Sequence, residues 1–97
     1  TRAMAVDCAK DNIRVNSVSP GAVRTPLLEV SARRSLGDDG RTLDEIMTSF
    51  GESHPIGRIG KPEEIAELIA FLCSDKAGFC TASDFVADGG LKSLIGG

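Results

Sequence analysis

Apolar and polar positions change their spacing several times along this chain, and each change predicts an element. Ala3, Met4, Ala5, Val6, Cys8 and Ala9 read as a helix already under way at Thr1. Asp11-Asn12 offers its stop, since Asn12 can adopt the left-handed conformation that ends helices. From Ile13 the β-branched residues lose any helical stripe and the run halts at Pro20-Gly21, which predicts a strand over 13–19. Thr25-Pro26 is a helix entrance, with Thr25 as N-cap and Pro26 at the first helical position. A weak helix through Leu27, Leu28, Val30 and Ala32 then ends by Gly37-Asp38-Asp39-Gly40, read as a surface loop. Thr42-Leu43-Asp44-Glu45 has the form of a capping box, and Leu43, Ile46, Met47 and Phe50 after it share one helical face.

The stretch from Gly51 to Gly60 is irregular and contains His54-Pro55. Lys61-Pro62-Glu63-Glu64 opens the strongest helix, over 62–73, because Pro suits its first turn and carboxylates suit the positive end of its dipole. Ile65, Leu68, Ile69, Leu72 and Cys73 form its expected buried stripe. Ser74 to Ser83 is a turn region, Asp84 to Asp88 a second strand, and Gly89-Gly90 its exit. The tail from Leu91 to Gly97 is apolar in its middle. Two strands joined through helices predict a parallel pair with a right-handed crossover. Parallel strands are normally covered on both faces, and here little chain is left to cover them. The pattern therefore predicts one end of a larger α/β sheet.

Composition narrows the function without choosing it. Ninety-seven residues allow one domain at most, and 41% apolar with 26% charged residues places the chain among globular rather than disordered proteins. Eleven basic against 14 acidic side chains, a net charge of −3, argue against coating phosphate backbones, so no nucleic-acid partner is expected. No apolar run approaches the roughly 18 residues of a membrane span. The opening Thr-Arg-Ala-Met-Ala-Val-Asp does not read as a signal peptide. Cys8, Cys73 and Cys80 have no CxxC spacing and only one His to join them, so no metal site is expected; they read as buried thiols in a reducing compartment, and a cytoplasmic protein is expected. The chain has no Tyr and no Trp, hence no phenol to serve as a general acid or base.

The run Ile13-Arg14-Val15-Asn16-Ser17-Val18-Ser19-Pro20-Gly21-Ala22-Val23-Arg24-Thr25-Pro26 resembles the short-chain dehydrogenase/reductase family. The resemblance continues through His54-Pro55-Ile56-Gly57-Arg58-Ile59-Gly60-Lys61-Pro62-Glu63-Glu64-Ile65-Ala66 and closes with Asp88-Gly89-Gly90. It is weakest between Leu28 and Glu52. It implies an α/β fold, the C-terminal part of a Rossmann-type doubly wound parallel sheet. On that reading residues 13–19 form the sixth strand, 26–60 a substrate-facing lid, and 84–88 the seventh strand. It also implies NAD or NADP as cofactor, a small carbonyl or secondary alcohol as substrate, and a homotetramer as the assembly.

The same resemblance assigns cofactor contacts to Pro20, Gly21, Val23 and Thr25. Ligands of open α/β sheets lie beyond the carboxyl ends of the strands, where Pro20-Gly21 falls. Pro20 is expected to end the ladder, having no N–H, and Gly21 to leave room for a flat ring. The backbone at Val23 would meet the nicotinamide carboxamide, and the Thr25 hydroxyl would reach the cofactor; the alternative for Thr25 is a plain N-cap. The family's catalytic Tyr-x-x-x-Lys and Ser have no counterpart here, and Lys10 follows no Tyr. No catalytic residue is assigned, and the chain alone is expected to transfer no hydride.

Several residues carry two readings. His54 is structural or substrate-facing at the lid's base. Arg58 pairs with a carboxylate at the lid's hinge or is solvated. Asp88-Gly89-Gly90 is most simply a strand-ending turn, and Arg33-Arg34 a solvated face. Leu27, Leu28, Met47 and Phe50 suit a partly apolar substrate or ordinary helix packing. Thr81-Ala82-Ser83 departs from the family's Thr-Gly; an Ala forced to positive φ there costs about 1 kcal/mol. The rival function is a non-catalytic α/β module that self-associates through an exposed strand edge at 13–19.

Overall fold

A computed structural model describes residues 1–36 and 40–94. The loop reading at Gly37-Asp38-Asp39 and the tail beyond Leu94 lie outside the described residues. The first helix, α1 (Arg2–Ala9), ends where Asn12 turns left-handed at φ 62°, letting the Ile13 amide return to the Cys8 carbonyl at 3.2 Å. The two strands, β1 (Ser17–Pro20) and β2 (Asp84–Ala87), pair in parallel, in register from Ser17 opposite Asp84 to Pro20 opposite Ala87.

β1 starts later than the sequence pattern suggests. Residues 15 and 16 do meet the second strand's approach, through one backbone bond from Ala82 N–H to Val15 O at 2.9 Å and otherwise through side chains. Val15 donates its amide to Thr81 Oγ1 at 3.1 Å, and the Asn16 amide group bonds both Cys80 O (2.9 Å) and the Ser83 amide (3.2 Å). The cause is Ala82, held left-handed at φ 63°, which bends the approaching chain out of ladder geometry. Pro20 is a correction as well. It lies within β1 as its last residue, and the ladder passes it, because Ser17 and Gly21 donate to Ser83 and Ala87. Alternation along the strand turns the Pro20 nitrogen toward the opposite edge, where its missing N–H leaves no broken bond with β2. Asp88 falls outside β2 and begins the turn.

Between the strands lie α2 (Pro26–Leu36), α3 (Leu43–Glu52) and α4 (Pro62–Cys73); a 3₁₀ turn (Asp75–Ala77) leads into β2, and α5 (Leu91–Leu94) follows it. Thr42 and Glu45 form a complete capping box at the start of α3. Ile46 and Met47 are buried against Ala32 of α2, with Leu28, Leu43, Phe50 and Ile59 packed around them. This small core sits between α2 and α3, not on the sheet.

The sheet side is more open. On one face Ser17 and Ser19 donate hydroxyls to the Asp84 carboxylate at 2.8 and 2.9 Å, holding that acid below the usual aspartate range, Ser17 first. Toward α4, Val18 shares an open recess of about 690 Å³ with Val15, Ile69, Leu72 and Cys73. The expected buried stripe of α4 is only partly covered: Leu72 is buried, Ile65 and Leu68 are half-buried, and Ile69 and Cys73 are exposed. Nor are the thiols buried, for Cys8 and Cys80 are half-buried. Burial of that stripe requires surfaces that the described residues do not supply. Arg14 ties the end of α4 to the strand entry, donating to Leu72 O at 2.7 Å and Ser74 O at 3.0 Å, two carbonyls at the helix terminus.

Candidate functional site

The carboxyl ends of β1 and β2 lie side by side, and residues 20–25 leave β1 across the top of them. Pro20 and Arg24 are exposed, and Gly21, Ala22, Val23 and Thr25 are half-buried, so none of this segment is sealed in a core. Gly21 donates to Ala87 O at 3.1 Å. A Cβ at Gly21 would stand 2.8 Å from Asp88 Cβ and 2.9 Å from its Cα. The glycine is thus required by the close approach of the second strand's end. This contact within the chain stands beside the reason read from the sequence, clearance for a flat ring.

Val23 pairs with Gly60 in an isolated parallel bridge built from Gly60 N–H to Ala22 O (2.9 Å) and Arg24 N–H to Gly60 O (3.0 Å). Because the bridge uses residues 22 and 24, alternation turns the N–H and C=O of Val23 to the opposite side. Neither bonds to another described residue. Two residues on, Thr25 Oγ1 accepts the Leu28 amide at 3.2 Å, which makes it the N-cap of α2. Its own hydroxyl proton remains available to an acceptor, so capping and ligand contact are compatible.

Beneath this segment the 54–60 loop is fixed to both strands' ends. His54 is 5% exposed, and its Nδ1 lies 3.2 Å from Phe50 O, at the end of α3. Nε2 is buried with no hydrogen-bond partner among the described residues. An imidazole so enclosed reads as structural, and it also lines the small cavity beside this loop. Ile56 N–H bonds Gly89 O at 3.0 Å, and a cavity of about 170 Å³ lies between Ala22, Ile56, Gly60, Ile65 and Asp88. Arg58 forks onto Glu64 of α4, with Nη1 to Oε1 at 2.7 Å and Nη2 to Oε2 at 2.9 Å. Glu64 also accepts the Lys61 amide at 3.0 Å. Arg58 first and that amide second lower the Glu64 carboxyl to about 2.

Asp88 closes the turn after β2, accepting Gly90 N–H at 2.9 Å and Lys92 N–H at 2.8 Å. Those amides, Lys92's foremost, hold its carboxyl below the usual range. Arg24 donates to Glu29 at 3.0 Å and to Asp44 at 2.7 Å. Sequence reasoning missed both Arg14 and Arg24. Arg24 left a faint signal, an acid in the first turn of the helix just after it; Arg14 left none, since its carbonyl partners are separated from it by 58 and 60 residues. Leu28, Met47 and Phe50, candidates for an apolar substrate surface, belong to the helix core, while Leu27 is 76% exposed. Among the described residues no three His, Cys, Asp or Glu side chains gather where they could hold a metal ion. No described helix is long and apolar enough to cross a membrane.

Parallel strands whose carboxyl ends carry an open backbone segment and a capped helix start have the arrangement of an open α/β sheet, in which ligands lie beyond the carboxyl ends of the strands. The family model described as enoyl-(acyl carrier protein) reductase matches residues 1–92. An uncharacterised oxidoreductase of Bacillus subtilis (strain 168) is 40% identical over 96 residues, covering 96% of this chain and 33% of that protein. A short-chain dehydrogenase family protein from Francisella tularensis superposes with a TM-score of 0.88 at 40% identity, over 96% of this chain and 38% of its own. L-sorbose reductase from Gluconobacter frateurii, crystallised with NADPH and L-sorbose, superposes with a TM-score of 0.85 at 36% identity, over 93% and 35%. The chain belongs to the short-chain dehydrogenase/reductase family, and its fold is the C-terminal part of a Rossmann-type doubly wound sheet. It spans about a third of the length of the curated relatives it matches.

Proposed function

We propose that this chain supplies one wall of the cofactor and substrate cleft in an NAD(P)-dependent oxidoreductase that interconverts a secondary alcohol and a carbonyl compound. The observation that carries this reading is the unengaged backbone of Val23, a donor and an acceptor side by side at the carboxyl end of β1. A nicotinamide carboxamide offers the complementary acceptor and donor, so the residues present fit the group. When bound, the cofactor supplies a hydride or takes one up. Val23 would orient its ring by two backbone bonds, and Thr25 would add a hydroxyl at the start of α2. Pro20 and Gly21 would set the path of the segment, with Gly21 tucked against Asp88. The α2–α3 unit would act as the substrate lid, excluding water from the cleft.

The proton-transferring Tyr-x-x-x-Lys and Ser of the family would come from outside these residues, since the chain contains no Tyr. The uncovered faces of β1 and α4 and the relatives' threefold greater length support that reading. Within it the isolated chain transfers no hydride. A cytoplasmic tetramer built on small-molecule substrates would fit the family pattern. The test is NADH and NADPH oxidation with a panel of ketones, run on the full-length gene product and on the isolated chain. Turnover by the first alone is expected; turnover by the isolated chain, or none by either, would refute it. A second reading, self-association without catalysis, draws on the free edge of β1 and on fully exposed Phe79. It requires a defined oligomer of the isolated chain in sedimentation.

A further inference from the structure

We propose that Arg24 is a positioning residue that fixes the α2–α3 unit over the carboxyl end of β1. Its guanidinium lies between two helix starts. Nε donates to Glu29 in the first turn of α2 at 3.0 Å, and Nη2 donates to Asp44 in the first turn of α3 at 2.7 Å. Its backbone amide holds Gly60 at 3.0 Å, where the chain returns from those helices.

Neither helix needs this arginine in order to be a helix. Thr25 caps α2, and Thr42 with Glu45 caps α3. The two already share a core of Ala32, Ile46 and Met47. What Arg24 adds is the placement of that finished unit relative to the strands. At the far end of α3, Gly51 packs so closely on the 58–59 segment that a Cβ would stand 2.7 Å from Arg58 Cα. At the near end, the tie to the strand segment is the Arg24–Asp44 pair. Arg24 is also flanked by Val23 and Thr25, so a shift of the helices is transmitted to the segment that faces the cleft. Asp44 is 83% exposed, which makes the tie modest and sensitive to salt.

That Arg24 tunes the cleft rests on the proposed cofactor role of Val23 and Thr25; that it holds the helices does not. The test uses the protein at the full length its gene encodes, with Arg24→Met, Arg24→Lys, Asp44→Asn and the Met/Asn pair. NADH and NADPH dissociation constants are read by fluorescence titration, and helix placement by amide hydrogen exchange. Arg24→Met is expected to weaken cofactor binding about two- to fivefold, an effect that shrinks near 0.5 M salt. Exchange across residues 43–48 should quicken while Val18 and Phe85 stay unchanged. Arg24→Lys should recover part of the loss, and adding Asp44→Asn to Arg24→Met should cost nothing more. Unchanged exchange at 43–48 in Arg24→Met, or a further loss in the pair as large as the first, would overturn the proposal. If the wild-type protein binds neither nucleotide, the proposed function fails, while the exchange data still decide where Arg24 acts.

Discussion

The α2–α3 unit and the β1–β2–α4 layer occupy one chain and finish their cores to different degrees. Between α2 and α3, Ile46 is fully buried and Met47 and Ala32 nearly so. On the strand layer, Ile69 is 46% exposed, Phe71 45% and Val86 44%, and Leu72 is the one buried residue of α4. The first region is closed by residues less than 35 positions apart. The second joins residues nearly 70 positions apart and still leaves apolar surface open. The lesson is that a helical hairpin can be completed locally, whereas a parallel layer depends on neighbours at both faces and edges.

Substitutions can break this contrast. Ile46→Ala should cost about 2–5 kcal/mol in chemical denaturation, since it empties a fully enclosed site. Ile69→Ala in the same chain should cost about 1 kcal/mol or less, because nearly half of that side chain already faces solvent. Equal costs at the two positions would mean that the strand layer is closed in solution.

Arg14→Met is next. It removes two charge-assisted bonds to carbonyls at the end of α4 and should destabilise by about 1.5–3 kcal/mol. Amide exchange should show the loss at the C-terminal turn of α4 rather than in α3. A smaller change of opposite sign belongs to Ala82→Gly. Relief of the left-handed alanine should stabilise by about 1 kcal/mol, read as a higher denaturant midpoint.

The weakest effect is a pH dependence. The folded Glu64 carboxyl sits near 2, below its ordinary 4.5, so its pairing with Arg58 stabilises fully above 4.5 and fades as pH falls toward 2. Asp84 and Asp88 are displaced in the same direction. Glu64→Gln should therefore flatten the acid limb of the stability curve without abolishing it. An unchanged acid limb would mean that the fork onto Arg58 is not held in solution.

What could be read from the residues follows the same division. Asn12 as a left-handed helix stop, the capping box at Thr42, and the stripe of Leu43, Ile46, Met47 and Phe50 are legible because each depends on neighbours within a few positions. The positive φ at Ala82 was legible through the family's glycine. The start of β1 was not, because Asn16 and Thr81 replace ladder bonds with side-chain bonds across the chain. The packing of Gly21 on Asp88 was missed for a similar cause, since Asp88 arrives from the other strand. In the candidate site, Thr25 as a cap and Arg58 beside an acid were visible locally. Arg24's reach to Asp44 and the burial of His54 required the fold.

The most direct test is a crystal structure of the full-length gene product with NAD(H) or NADP(H) bound. The account requires the nicotinamide carboxamide to lie against the N–H and C=O of Val23, with β1 joined on its free edge by another strand. A cofactor bound elsewhere, or those two backbone groups satisfied by protein, would contradict it.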